Sequence, residues 1–171
     1  MRPLLLVALL AAAPAAAQHH GHHAGSPYAD ETDRPVKVLS ADETAGLLEG
    51  RGLGFAHAAE LGGFPGPLHV LELADSLDLS PAQRAETQRL YDAMLAEAQP
   101  LGAQVVAMDT HLDRLFAEGT ATPEMVDRIA AHLGETRGRL RAVHLRANIA
   151  MREALTPEQI AAYNRLRGYT D

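Results

Sequence analysis

Two long segments of the chain carry apolar residues at a spacing that places them on one side of a helix. In the first, steps of three or four residues give a seam close to a heptad pattern at Leu90, Met94, Ala98, Leu101, Val105, Met108, Leu112 and Leu115. The second follows the same rule at Val126, Ile129, Leu133, Leu140, Val143, Ala147, Ala150 and Ala154, with Thr136 as the one polar interruption. Because only Gly119-Thr120-Ala121 joins them, the sequence predicts two helices packed antiparallel.

The starts of these helices are marked by a hydroxyl residue before a proline, at Ser80-Pro81 and at Thr122-Pro123. The hydroxyl caps the helix, and the missing proline N–H costs nothing at the first helical position. Pro100 lies inside the first long segment and predicts a kink there or a break into two helices. A last helix is expected from Thr156-Pro157 to Gly168.

Shorter helices are expected before the hairpin. Ser40-Ala41-Asp42-Glu43 is a capping box that opens a first helix, which glycines weaken and which should stop by residues 62–67. A short helix over about residues 68–77 follows. With no Trp and only 4% aromatic residues, the core must be built from Leu, Ala, Val and Met, a set that favours helix over sheet. The predicted fold class is all-α, a long antiparallel helical hairpin with short flanking helices.

The N-terminal segment predicts export. Arg2, a short apolar run and Ala15-Ala16-Ala17 form a signal peptide over residues 1–17, too short to span a bilayer, so the mature protein should begin at Gln18 in the periplasm. Residues 18–39 are polar, rich in Gly, Pro and His, and read as a flexible arm; residues 40–171 form the helical domain. The chain has no cysteine, so it has no thiolate metal site and no disulfide.

Charge and motif content exclude several functions. Removal of Arg2 with the signal leaves 22 acidic and 14 basic residues, so nucleic acid is not an expected partner. The Gly50-Arg51-Gly52-Leu53-Gly54-Phe55 segment superficially suggests a dinucleotide loop, but Phe55 replaces the third glycine and no strand precedes it. A helical hairpin also offers little enclosed volume for catalysis. We therefore expect a binding protein rather than an enzyme.

One five-residue motif occurs twice, and its shared positions are a leucine, a capping hydroxyl residue, a proline and a glutamine. The copies comprise Leu79, Ser80, Pro81, Ala82 and Gln83, and Leu155, Thr156, Pro157, Glu158 and Gln159. The leucine can pack as a hydrophobic staple, the hydroxyl caps the helix, and the glutamine can reach back to the capping residue's amide. By itself the motif predicts helix starts and nothing more.

The duplicated motif in an exported helical chain without cysteine resembles the LTxxQ-motif family of Spy/CpxP periplasmic proteins and their metal-responsive relatives. The second copy matches the motif fully, whereas the first has Ser80 where the family usually has Thr. The resemblance covers about residues 67–169. It implies a cradle-like antiparallel homodimer that holds unfolded or misfolded envelope proteins without ATP, or a stress adaptor that docks on the periplasmic domain of a sensor kinase.

A basic stretch is the candidate client-binding surface that this resemblance implies. Between Gly134 and Arg152 the only acid is Glu135, and the basic residues are Arg137, Arg139, Arg141, Arg146 and Arg152. On an acidic protein such a stripe could speed the capture of acidic, partly unfolded chains. The alternative is a solvated helix face whose arginines form intrahelical ion pairs.

Histidines suggest a second function, the binding or sensing of a heavy metal. His19, His20, His22 and His23 cluster at the expected mature N-terminus, and imidazole is a common ligand of zinc, copper and nickel. The alternative is that such a tail binds metal only adventitiously. A weaker candidate zinc site combines His111 and His132, expected at similar heights on the facing helices, with Asp109 nearby. No cofactor is required by the chaperone hypothesis.

Overall fold

The computed structural model describes residues 26–170, in which six α-helices and one 3-10 turn account for the regular structure. The 3-10 turn is Ala29–Glu31, and the helices are α1 (Ala41–Glu49), α2 (His57–Leu61), α3 (Pro67–Glu72), α4 (Pro81–Ala117), α5 (Pro123–Ala154) and α6 (Pro157–Leu166). The described residues contain no strand, so the all-α prediction is confirmed. The chain divides into two units, residues 1–30 and 31–171, and all six α-helices belong to the second.

The hairpin of α4 and α5 is the scaffold. The helices have 37 and 32 residues and are joined by residues 118–122, as the apolar spacing predicted. Pro100 does not break α4 into two helices. Because proline has no backbone N–H, the Ala96 carbonyl lacks its helical hydrogen bond. Ala96 and Pro100 are both exposed, so water can bind that carbonyl.

The apolar core has two parts, one on each half of the hairpin. The first core cluster joins the hairpin to α1 and to the segment before it, and consists of Val36, Leu39, Leu47, Ala98, Leu101, Val105, Leu140 and Val143. The second core cluster joins it to α3 and α6, and consists of Val70, Ala74, Leu77, Leu79, Met151, Leu155 and Tyr163. The short helices before and after the hairpin therefore both pack on it through these clusters.

The weak first helix predicted after Ser40 is two helices in the structure. The capping box at Ser40 is present, but α1 ends at Glu49 because Gly50 takes a left-handed conformation with φ of 73°. Residues 53–56 then form a turn before α2 begins. The short helix expected over residues 68–77 is Pro67–Glu72, followed by turns that lead to Ser80.

The prediction that residues 18–39 form a flexible arm is wrong for the last part of this segment. Val36 and Leu39 are only 5% exposed and belong to the first core cluster. The Lys37 amide donates a hydrogen bond to Asp113 Oδ2 at 2.6 Å, which fixes this segment against α4. The buried apolar side chains outweigh the polar composition, so the folded domain begins before residue 40. Residues 18–25 lie outside the described residues.

Gly102 provides a test of how α1 is positioned on the hairpin. A Cβ at Gly102 would lie 1.9 Å from the Leu47 carbonyl oxygen, whereas a Cβ at Gly138, on the exposed side of α5, would meet nothing within 4 Å. We expect Gly102→Ala to lower the free energy of unfolding by about 2 kcal/mol or more, because α1 must move. Gly138→Ala should raise it by about 0.5–1 kcal/mol through helix propensity.

Urea unfolding followed by circular dichroism measures both variants. Since the two substitutions add the same methyl group to a long helix, the second is a matched control for the first. Equal effects of the two substitutions would contradict the close approach of α1 to Gly102.

Candidate functional site

The two copies of the repeated motif form the capping boxes that the sequence predicted. Ser80 Oγ accepts from the Gln83 amide at 3.2 Å, and the Ser80 amide donates back to Gln83 Oε1 at 3.1 Å. Thr156 and Gln159 do the same at 3.2 and 3.0 Å. Both leucines of the motif, Leu79 and Leu155, are buried in the second core cluster.

Beyond starting helices, the two copies also bind each other. Gln83 Nε2 donates to Gln159 Oε1 at 2.8 Å, and Gln159 Nε2 donates to Gln83 Oε1 at 3.2 Å. Each Nε2 has a second acceptor in a backbone carbonyl, Ala154 for Gln83 and Leu77 for Gln159, both at 3.1 Å. Each amide thus uses two donor hydrogens and two acceptor lone pairs, its full capacity. The repeat therefore ties the start of α4 to the junction of α5 and α6.

A buried carboxylate lies beside the second core cluster. Glu60 is 9% exposed, and its oxygens accept from Tyr163 Oη at 2.7 Å, Tyr169 Oη at 3.3 Å and the Gly66 amide at 2.9 Å. Burial, and then the hydrogen bond to Glu60, raise the pKa of Tyr163 far above its usual value. The sequence placed Tyr163 on an apolar stripe but gave no signal for Glu60, since about a hundred residues separate the two.

The five arginines of the predicted stripe do not form one free surface. Arg137 pairs across the hairpin with Asp109 at 3.0 Å, and Asp109 is only 3% exposed. Arg146 pairs with Glu97 on α4 at 2.9 Å. Arg152 donates to the Gly63 carbonyl, and its guanidinium carbon lies 4.6 Å from the centre of the Phe64 ring.

Two of the five, Arg139 and Arg141, are exposed and form no hydrogen bond or ion pair among residues 26–170. The bonds of Arg137 and Arg146 join two helices, so the alternative of intrahelical pairs is also wrong for them. The sequence could not distinguish these roles, because α4 supplies the partners.

The weaker candidate zinc site is not assembled. Asp109 is bound to Arg137, and His111 Nδ1 lies 2.9 Å from Arg114 Nη2. His132 is exposed on α5. Within residues 26–170, no three side chains of His, Cys, Asp or Glu come together in a way that could hold a metal ion. His19, His20, His22 and His23 lie outside the described residues, so metal binding by the arm stays a prediction.

A cavity of about 390 Å³ lies between the hairpin and the segment that precedes it. The loop of residues 50–54, α2 and the start of α3 form one wall, while α4 and α5 form the other. Three histidines line the cavity, although their spacing in the sequence is not that of metal ligands: His57, His69 and His144. His144 is 2% exposed, its ring stacks on Phe55 with centroids 5.9 Å apart, and burial lowers its pKa.

The amide pair can be tested by a double-mutant cycle. Gln83→Ala should lower the free energy of unfolding by about 1–3 kcal/mol, because it removes the partner of the Ser80 amide and both hydrogen bonds between the two glutamine side chains. Gln159→Ala should act similarly, and the double variant should cost less than the sum, with a coupling of about 1 kcal/mol. Gln104→Ala, at an exposed position on α4, should change stability by less than about 0.5 kcal/mol. Additive effects of the first two would contradict the direct pairing.

Comparison with known proteins identifies the family. A family model described as LTXXQ motif family protein matches residues 68–167. No curated protein and no solved structure matches the chain. In residues 26–170 no helix is both long enough and apolar enough to cross a membrane. Because the match spans more than half of the chain and contains both motif copies, the protein belongs to the LTXXQ motif family, the family of the Spy/CpxP-like periplasmic proteins.

Proposed function

We propose that the protein binds unfolded or misfolded envelope proteins in the periplasm without ATP, as a chaperone or stress adaptor of the Spy/CpxP kind. Family membership is consistent with this function, and the uncovered side of α5 is the observation that carries it. The protein acts by binding rather than by catalysis, and a homodimer of the kind that the family implies would place two such surfaces in one particle.

The outer face of α5, defined by Gly138, Arg141, Ala142, Leu145 and Ile149, is where a client would bind. These residues follow one another at steps of one, three or four residues and so share one side of the helix. They lie opposite the residues that α5 buries against α4, such as Leu140, Val143 and Ala147. Ile149 is 49% exposed, and α2 and α3 leave this side of α5 uncovered.

This surface combines the two properties that a non-native chain can recognise. Ile149 and Leu145 offer apolar area, which a client's apolar side chains would remove from water. Arg141 adds positive charge that no partner within the described residues neutralises, and the equally unpaired Arg139 lies two residues away on the same helix, on a protein whose net charge is −7. Acidic segments of a client would be attracted to this site during encounter, so the surface should speed capture as well as hold the client.

Matched substitutions test the client-binding surface. Ile149→Gln should weaken client binding about tenfold, because burying such a side chain contributes about 1.5 kcal/mol. Arg141→Gln should slow the capture of an acidic client at low salt, and the difference should fade near 0.5 M salt as screening increases. The controls are Leu166→Gln and Arg165→Gln, both exposed at the end of α6.

The measurement is light scattering of an unfolding, aggregation-prone client at near-stoichiometric amounts of each variant. At low salt, the α6 variants should suppress aggregation as well as the wild-type protein does, and the two α5 variants should suppress it less. If the wild-type protein does not slow aggregation at all, the proposed function is wrong; if all four variants behave alike, the surface is wrong.

The alternative function is the binding or sensing of Zn, Cu or Ni through the histidine cluster at His19, His20, His22 and His23. Four imidazoles within five residues provide the nitrogen ligands that these ions prefer. Under this proposal, titration calorimetry of the tag-free mature protein should give submicromolar, stoichiometric binding that disappears when residues 18–23 are deleted. Aggregation suppression should survive the same deletion. Weak binding that the deletion does not change would dismiss the metal function and leave the chaperone proposal standing.

A further inference from the structure

A buried carboxylate lines the cavity between the hairpin and residues 50–69. Glu60 is 9% exposed and accepts hydrogen bonds only from uncharged donors, the Gly66 amide and the hydroxyls of Tyr163 and Tyr169. No Lys, Arg or His side chain of residues 26–170 forms an ion pair with it. Because a buried charge is costly unless an opposite charge lies beside it, the carboxylate favours a positively charged group in the cavity.

Asn148 adds an uncharged acceptor beside this carboxylate. It is 2% exposed, and its Nδ2 donates to the Phe64 carbonyl at 2.8 Å. Its Oδ1 has no partner in the described part of the chain but is not fully enclosed, so it is open to the cavity that the residue lines. The two acceptors converge on Gly66, whose Cβ, if present, would lie 2.7 Å from Glu60 Oε1 and 3.7 Å from Asn148 Oδ1. An ammonium group, which has three N–H donors, can hydrogen-bond to both acceptors.

A positive charge without an ion pair lies close to Glu60. Of the two arginines that line the cavity, Arg51 is already paired with two acids, whereas Arg167 is exposed and forms no ion pair among residues 26–170. Tyr169 contacts both charges, since its hydroxyl donates to Glu60 at 3.3 Å and its ring centre lies 5.9 Å from the guanidinium carbon of Arg167. A ligand with a single charge would be attracted by one of these groups and repelled by the other. A ligand that carries both charges avoids this conflict.

The size and the apolar part of the wall suit a small organic molecule. Leu53, Leu68 and Met94 line the cavity together with the charged groups. Its volume of about 390 Å³ falls at the lower end of the range of small-molecule sites, about 300–1,000 Å³. The cavity therefore combines two opposite charges with an apolar surface on which a short hydrocarbon side chain can pack.

We propose that this cavity binds a small apolar α-amino acid in its zwitterionic form. The ammonium group of the ligand donates to Glu60 and to Asn148 Oδ1, and its carboxylate pairs with Arg167. The side chain of the ligand packs on the apolar wall. The two charges of an α-amino acid are attached to one carbon, which matches two protein charges that contact the same tyrosine. The site is independent of the client-binding surface, which lies on the outer face of α5.

The site combines residues from inside and outside the family match. Glu60 and Gly66 precede residue 68, where the match begins, whereas Asn148 and Arg167 lie within it. The segment before the match thus contributes the negative charge, and the hairpin and the end of α6 contribute the other polar groups. Binding therefore needs residues that the family model does not include.

Four small molecules test which groups of the ligand are recognised. L-Leucine carries both charges, 3-methylbutylamine is leucine without its carboxylate, and 4-methylpentanoate is leucine without its ammonium group. Glycine keeps both charges but has no apolar side chain. In titration calorimetry of the full chain, leucine should bind at least tenfold more tightly than each of the other three, because each of them lacks a charge-assisted contact or the apolar contact.

Matched variants test the position of the site. Arg167→Gln should weaken leucine binding about tenfold but should not weaken the binding of 3-methylbutylamine, because it removes a charge that attracts the carboxylate and repels the amine. Arg165→Gln removes the same charge at an exposed position two residues earlier and should bind all four molecules as the wild-type protein does. Glu60→Gln keeps the size of the side chain but removes its charge, so it should abolish the preference for leucine over 4-methylpentanoate.

The proposal is wrong if leucine does not bind at millimolar concentration, or if leucine and 4-methylpentanoate bind equally well to the wild-type protein. It is also wrong if Arg167→Gln weakens leucine and 3-methylbutylamine to the same extent. Thermal unfolding checks that each variant is folded. If Glu60→Gln does not fold, the four molecules on the wild-type protein and on Arg167→Gln still decide the outcome.

Discussion

The paired amides of Gln83 and Gln159 fix the geometry at the open end of the hairpin. Each side chain is held by its own capping residue and by a backbone carbonyl, so neither amide can move without losing several hydrogen bonds. This arrangement positions α6 against the base of α4 and brings Leu79, Leu155 and Tyr163 together in the second core cluster. Tyr163 in turn holds Glu60, which orders the turn before α3 through the Gly66 amide. A local capping device, used twice, therefore organises contacts far apart in the chain.

The sequence predicted the parts of the structure that depend on local patterns. The hairpin, its capped starts and the role of Leu79 and Leu155 follow from spacing and from side-chain chemistry within five residues. The reach of Gln83 to Gln159 could not be predicted in the same way, because capping specifies a bond within each copy and says nothing about the other. The burial of Val36 and Leu39 was missed because these residues end a polar segment without apolar periodicity, and only the tertiary structure shows that α4 provides a surface for them.

The arginines show why a run of charge is a poor guide to a binding surface. Arg137 is needed inside the protein, since Asp109 is almost fully buried and an unpaired carboxylate there would be costly. Arg152 is held by a carbonyl and an aromatic ring in the turn before α3. These partners come from other segments, so only the tertiary structure separates them from Arg139 and Arg141. Likewise, the histidines of the cavity come from three separate segments, and no spacing rule could have grouped them.

The contact between Gly102 and Leu47 has a consequence for how relatives of this protein can be sorted. Gly102 lies within the segment that the family model matches, whereas α1, which packs on it, lies before that segment. Any larger residue at this point of α4 would keep an α1-like helix at a distance. A relative can therefore carry a helix as close to its hairpin as α1 only if it has a glycine at the corresponding position.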